Sequence, residues 1–170
     1  AAGGITAFLD MPNTVPNATK LTVLQDKYRR AAKKSVTHSG FFIGATTTNL
    51  DDLIDAVGTP QKPTNSGVCG IKIFMGSSTG DLLVHEQKHL EEIFANTGGI
   101  IATHAEDEIR LRSRIAEFSH RSDIAAHAEC RDVECALLAT KRASALAKDY
   151  DHRLHICLLY TSPSPRDSLS

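Results

Sequence analysis

The sequence predicts an α/β fold with parallel strands, and three observations lead there. Short apolar runs alternate with amphipathic helical patterns, so each strand is followed by a crossover able to return the chain beside it in the same direction. The apolar runs are closed by turn-forming residues such as Pro12-Asn13 and Gly76 to Gly80. Five such strands fit in 170 residues, whereas a whole (β/α)8 barrel takes about 250. Two architectures satisfy these facts: an open doubly wound sheet, or an incomplete (β/α)8 barrel.

The first strand spans about Ile5 to Met11. Leu21, Leu24, Tyr28 and Ala31 then recur at helical spacing, which predicts an amphipathic helix over about Lys20 to Lys34. Phe41 to Thr46 is the second strand, and Asp51 to Val57 a short helix with an acidic start. A loop from Gly58 to Gly67 carries two prolines. The third strand runs about Val68 to Met75 and gives way to helix at about Glu86 to Asn96. Gly98-Gly99 leads into the fourth strand, Ile100 to His104. A long helical region follows, interrupted near Ser119 to Cys130, with Val133, Ala136, Leu137, Thr140 and Ala147 on one face. Arg153 to Ile156 opens a fifth strand.

Composition narrows the partners. With 41% hydrophobic and 23% charged residues, the chain reads as a soluble globular protein. A formal net charge of −1 gives no reason to expect a nucleic acid or a membrane surface as partner. The basic cluster Arg29, Arg30, Lys33 and Lys34 falls on the first helix as a solvated face. No apolar run reaches the roughly 18 residues of a membrane span. Four cysteines, Cys69, Cys130, Cys135 and Cys157, form no CxxC pair, which suits a reduced, cytoplasmic setting and thiols that pack or lie at the surface.

The chain begins at Ala1, already in strand-like sequence, as if its true start lay upstream. Residues 158–170 show no periodicity and carry two prolines, starting where a strand should continue. They are read as a non-native read-through tail on a partial barrel of residues 1–157, with a natural Ser/Pro-rich tail as the alternative.

Lys72 is the most informative position. In Gly70-Ile71-Lys72-Ile73-Phe74-Met75, strand alternation places Lys72 and Phe74 on one face and Ile71 and Ile73 on the other. Both faces of an α/β sheet are covered, so the ammonium should be desolvated and inclined to lose its proton. A neutral amine can take up carbon dioxide as a carbamate, an anion able to bridge two cations. The plainer reading is a lysine near a strand end that pairs with a carboxylate or reaches water.

His104 closes the fourth strand, and sites in such folds lie at the carboxyl ends of strands. It is placed to offer a ring nitrogen to zinc or simply to form a hydrogen bond. The acidic run Glu106-Asp107-Glu108 behind it suits a helix start. Asn13 also follows a strand end, where its amide could donate to a carboxylate, although Pro-Asn is an ordinary turn. The Gly76 to Gly80 loop lacks the Gly-Lys-Ser/Thr of a phosphate-binding P-loop, and Ser77 and Ser78 lack a nucleophile context. His38, His85, His89, His120 and His152 fall in helices or loops and read as surface residues.

Three segments taken together resemble the dihydroorotases of the amidohydrolase superfamily. Ala1 to Thr6 leading into Asp10-Met11-Pro12-Asn13-Thr14 resembles the second-strand region of that family. Gly70 to Gly80 resembles its fourth-strand region, and Thr103-His104-Ala105-Glu106-Asp107-Glu108 its fifth. His127, Arg131 and Glu134 also match its spacing, and the likeness extends from Ala1 to Ile156.

The resemblance implies an amidohydrolase-type barrel, strands two to six, with two zinc ions in the intact protein. It implies Lys72 as a bridging carbamate, His104 as a metal ligand and Asn13 on the carboxylate of a small-molecule substrate. The reaction implied is the interconversion of carbamoyl aspartate and dihydroorotate in pyrimidine synthesis. A strand-one His-x-His would precede Ala1, and a proton-shuttling strand-eight aspartate would follow the last residue. The sixth-strand metal histidine should fall at position 158, where Leu158 stands, and His155 matches a non-ligand histidine. The 170 residues alone are therefore expected to be inactive. Sister hydrolases (hydantoinase, dihydropyrimidinase, allantoinase) and a catalytically silent scaffold subunit are the alternatives. A homodimer or association with aspartate transcarbamoylase is left open.

Overall fold

A computed structural model describes residues 2–64, 66–78 and 80–158. The proposed tail lies, beyond Leu158, outside the described residues, as do Ala1 and Thr79 of the family-like segments. Five strands, β1 (Ala7–Asp10), β2 (His38–Gly44), β3 (Gly70–Phe74), β4 (Ile100–His104) and β5 (Arg153–Ile156), form one parallel sheet in the order β1-β2-β3-β4-β5. The helices between them are α1 (Leu21–Lys34), α2 (Leu50–Val57), α3 (Gln87–Asn96), α4 (Glu108–Glu117), α5 (Ile124–Cys130) and α6 (Val133–Asp149).

The strand order decides between the two architectures. A doubly wound sheet reverses its order partway, which sends helices to both faces. Here the order never reverses. Accordingly Phe41, Ile43, Ile71, Ile73 and Ile101 form one core with Leu24, Leu53, Leu90, Ile93, Phe94, Ala139, Ala143 and Leu146 of the helices. The alternate strand positions Gly44, Lys72, Phe74, Ala102 and His104 take no part in it. This is the one-sided winding of a (β/α)8 barrel wall.

Three expectations are corrected. The interruption near Ser119 to Cys130 contains α5, started by Asp123, whose carboxylate accepts from the Ala126 N–H at 3.2 Å. Ala126 is the helix's one buried residue, and Ile124 lies exposed, so no apolar face announces it. His38 is neither helical nor in a loop; it opens β2. His152 is half-buried, its ring 5.5 Å from that of Phe94 and Nε2 2.9 Å from the Thr97 carbonyl. The acidic run after β4 behaves as a helix start, with Asp107 capping the Arg110 N–H at 2.8 Å. No described helix is long and apolar enough to cross a membrane.

Candidate functional site

Partners in adjacent parallel strands share a face, so the register assigns the side free of helices. Gly44 aligns with Lys72, Lys72 with Ala102, Ala102 with His155, and Phe74 with His104. Lys72 and His104 thus share that face on neighbouring strands, His104 two residues further toward the carboxyl end. Lys72 is 3% exposed. Its burial does not come from helices on both sides, as the sequence suggested, because the helices cover the opposite face.

The Lys72 amine lies 3.2 Å from Cys157 Sγ and 4.8 Å from the centre of the Phe74 ring. No carboxylate forms an ion pair with it among the described residues. Burial pulls the amine below its ordinary pKa, and the neighbouring Cys157 only partly opposes this. Cys157, expected only to pack or to lie at the surface, touches the Lys72 amine.

At the end of β4, His104 Nε2 lies 2.7 Å from Glu106 Oε2. Arg131, in the turn between α5 and α6, donates to the same oxygen at 2.5 Å and, with its other terminal nitrogen, to Ser77 Oγ. Ser77 in turn donates its backbone N–H to Glu108 at 2.9 Å, and Glu108 accepts from Arg112 at 2.7 Å. Burial alone would raise the Glu106 carboxyl. The hydrogen bonds from Arg131 and His104 outweigh it and hold the acid below its usual value. Gly76 lets the two loops close: a Cβ there would stand 2.5 Å from the Glu106 carbonyl oxygen. Glu106, Ser77 and Cys157 carried no site signal of their own in the sequence. Arg131 appeared only as part of a spacing.

Asn13 is exposed just past β1, two strands from Lys72 and three from His104. Buried Pro12 anchors its turn, the Pro12 carbonyl accepting from Thr14 at 2.8 Å and Ala18 at 2.9 Å. The Asn13 amide has no hydrogen-bond partner among the described residues. His155 shares the face of Lys72 but is exposed, and Leu158, at the position expected for a metal histidine, is 85% exposed.

No group of three His, Cys, Asp or Glu side chains suited to a metal occurs among the described residues. A lysine carbamate stands outside that set of donors. Lys72 is a buried amine without an acidic partner, and His104 leaves Nδ1 without a hydrogen-bond partner among the described residues while Glu106 holds Nε2. A carbamate oxygen on Lys72 and the His104 imidazole nitrogen would both be donors of a kind that zinc accepts.

Over nearly its whole length the chain is similar to hydrolases of cyclic amides. It is 33% identical over 166 residues to an allantoinase of Deinococcus radiodurans, covering 92% of this chain and 35% of that one. It is 31% identical over 166 residues to a dihydroorotase of Methanosarcina acetivorans, covering 95% and 33%. The solved L-hydantoinase (dihydropyrimidinase) of Arthrobacter aurescens superimposes with a TM-score of 0.80 at 26% identity, covering 91% of this chain and 34% of that one. The chain thus resembles one part of these cyclic-amide hydrolases.

The chain spans about a third of the length of the relatives it matches. No protein-family model matches it. The dihydropyrimidinase of Brevibacillus agri, with a TM-score of 0.74 at 23% identity, supports the fold alone. The similarity does not separate dihydroorotase from allantoinase or hydantoinase.

Proposed function

We propose that the chain carries the lysine and one histidine of a dihydroorotase zinc site, in a protein that interconverts carbamoyl aspartate and dihydroorotate. The observation that carries this reading is the burial of Lys72 on the helix-free face, beside the strand that ends in His104. A desolvated amine spends more of its time neutral. Its lone pair then forms the N–C bond to carbon dioxide, the proton leaves to solvent, and bound cations would offset the burial of the resulting carbamate anion. His104 offers the ring nitrogen that Glu106 leaves free. Asn13, exposed at the same end of the sheet, would donate its amide hydrogens to the substrate carboxylate. Zinc bound by these donors would supply a Lewis acid that polarises the ring amide carbonyl and acidifies water.

Met11-Pro12-Asn13-Thr14, which resembles the dihydroorotase sequence, favours that substrate. Allantoin is the second reading, favoured by the 33% identity with the Deinococcus radiodurans allantoinase. Grafting residues 2–157 into the matching region of the Methanosarcina acetivorans dihydroorotase tests the choice. Zinc-dependent opening of dihydroorotate, lost in Lys72→Ala, is expected; opening of allantoin or hydantoin in its place would overturn the assignment. In the 170-residue chain, 13C-labelled bicarbonate with zinc should give a carbamate signal that is absent from Lys72→Met. The same signal in both proteins would place the carbamate elsewhere.

A further inference from the structure

Arg131 lies far from β3 and β4 in sequence, yet its guanidinium joins the loops that leave their carboxyl ends. One terminal nitrogen donates to Glu106 after β4, at 2.5 Å, and the other to Ser77 after β3. Both loops are irregular, and Ser77 has a positive φ of 49°, which is uncommon for a residue with a side chain. A planar fork with donors fixed in one plane suits a bond to each loop better than an ammonium does. Glu106 is only 13% exposed, so without the fork its carboxylate would be buried with the His104 ring as its remaining side-chain partner.

We propose that Arg131 is a positioning residue that fixes the ring of His104 by holding Glu106 in place against it. The purpose of that positioning rests on the reading of His104 as a zinc ligand. The chemistry runs in one direction. An ionised carboxylate accepts and does not donate, so a neutral His104 facing Glu106 keeps its hydrogen on Nε2. The lone pair then sits on Nδ1, the nitrogen without a partner among the described residues. Arg131 maintains this by tying down the acceptor: release Glu106, and the ring can rotate or exchange its proton with water. Carboxylates behind metal-binding histidines work in this way generally, fixing both tautomer and orientation. Here a cation on a third loop fixes the carboxylate as well.

The test uses the metal-free 170-residue chain and reads the His104 ring directly by 15N-edited NMR. In the unaltered protein, the Nε2 hydrogen should be visible and protected from exchange with solvent. Arg131→Gln should speed that exchange by about tenfold, the effect of losing a charge-assisted hydrogen bond. Ser77→Ala leaves the Glu106 contact in place and should change it little. Arg131→Lys, which keeps the charge but not the fork, should be intermediate; it also serves if Arg131→Gln fails to fold. Unchanged exchange at His104 in a folded Arg131→Gln or Arg131→Lys protein would overturn the proposal. A zinc titration followed at the same ring separates the two readings. If zinc leaves the His104 signals unmoved in the unaltered protein, the metal assignment fails, while the metal-free exchange rates still decide the role of Arg131.

Discussion

The amine of Lys72 meets the sulfur of Cys157 at 3.2 Å across two strands of the sheet. A thiol is a weak acid, and it compensates a buried ammonium far less than a carboxylate would. Burial therefore shifts this amine toward its neutral form relative to a solvated lysine.

Replacing Lys72 by Met should stabilise the metal-free protein by about 1 kcal/mol near pH 7, because an apolar chain of similar length avoids burying a charge. The pH dependence follows from the lowered pKa. Between the folded value and the ordinary 10.5, the unfolded chain holds more protons than the folded one, so stability rises with pH through that window. Urea unfolding across the window should show this rise in the unaltered chain and not in Lys72→Met. Parallel curves for the two proteins would mean a solvated amine.

Cys135 should behave in the opposite sense. Burial first, and then the hydrogen bond and charge of Asp132, push its thiol up to about 11 from 9.0. Its contribution to stability is complete below pH 9.0 and is lost as the pH rises through about 11. Cys135→Ala should lack that alkaline loss in urea titrations. In the folded protein, iodoacetamide should modify Cys130 at least about tenfold faster than Cys135, read by mass spectrometry.

Phe94 is fully buried between the sheet and the helices, with its ring against His152. Phe94→Ala should cost about 3–5 kcal/mol in urea unfolding, through lost burial and the cavity left behind. Phe94→Leu should cost clearly less. Similar losses for the two would show that the neighbouring helices collapse into the space.

Gly58 ends α2 with a positive φ of 76°, and a Cβ there would stand 2.3 Å from the Lys62 carbonyl oxygen. Gly67 has a φ of 82°, and no atom of the described residues lies within 4 Å of a Cβ placed there. Gly67→Ala should cost about 1–2 kcal/mol, the backbone preference alone. Gly58→Ala should cost more, since the Lys62 to Thr64 backbone must also shift. Equal thermal-unfolding midpoints for the two variants would contradict the steric argument.

Much of the fold was legible because its signals are local. Ile100 to His104 and Arg153 to Ile156 match β4 and β5 residue for residue, each an apolar run bounded by turn chemistry. Two-residue alternation placed Lys72 and Phe74 together, and their ammonium–ring contact agrees. What sequence could not supply was pairing between distant segments. Cys157 reaches Lys72 across 85 positions, and Arg131 reaches Ser77 across 54. Neither pattern follows from helical or strand spacing. The choice between one-sided and two-sided winding was equally hidden, since both require the same alternation of elements.

That winding bears on how the molecule is assembled. Among the five described strands, each strand's partner in the sheet is also the next strand in the chain, so none of these four pairings has to wait for a remote segment to arrive. Loop-closure entropy is met in short instalments, which favours rapid folding. These five strands can therefore pair outward from any adjacent two.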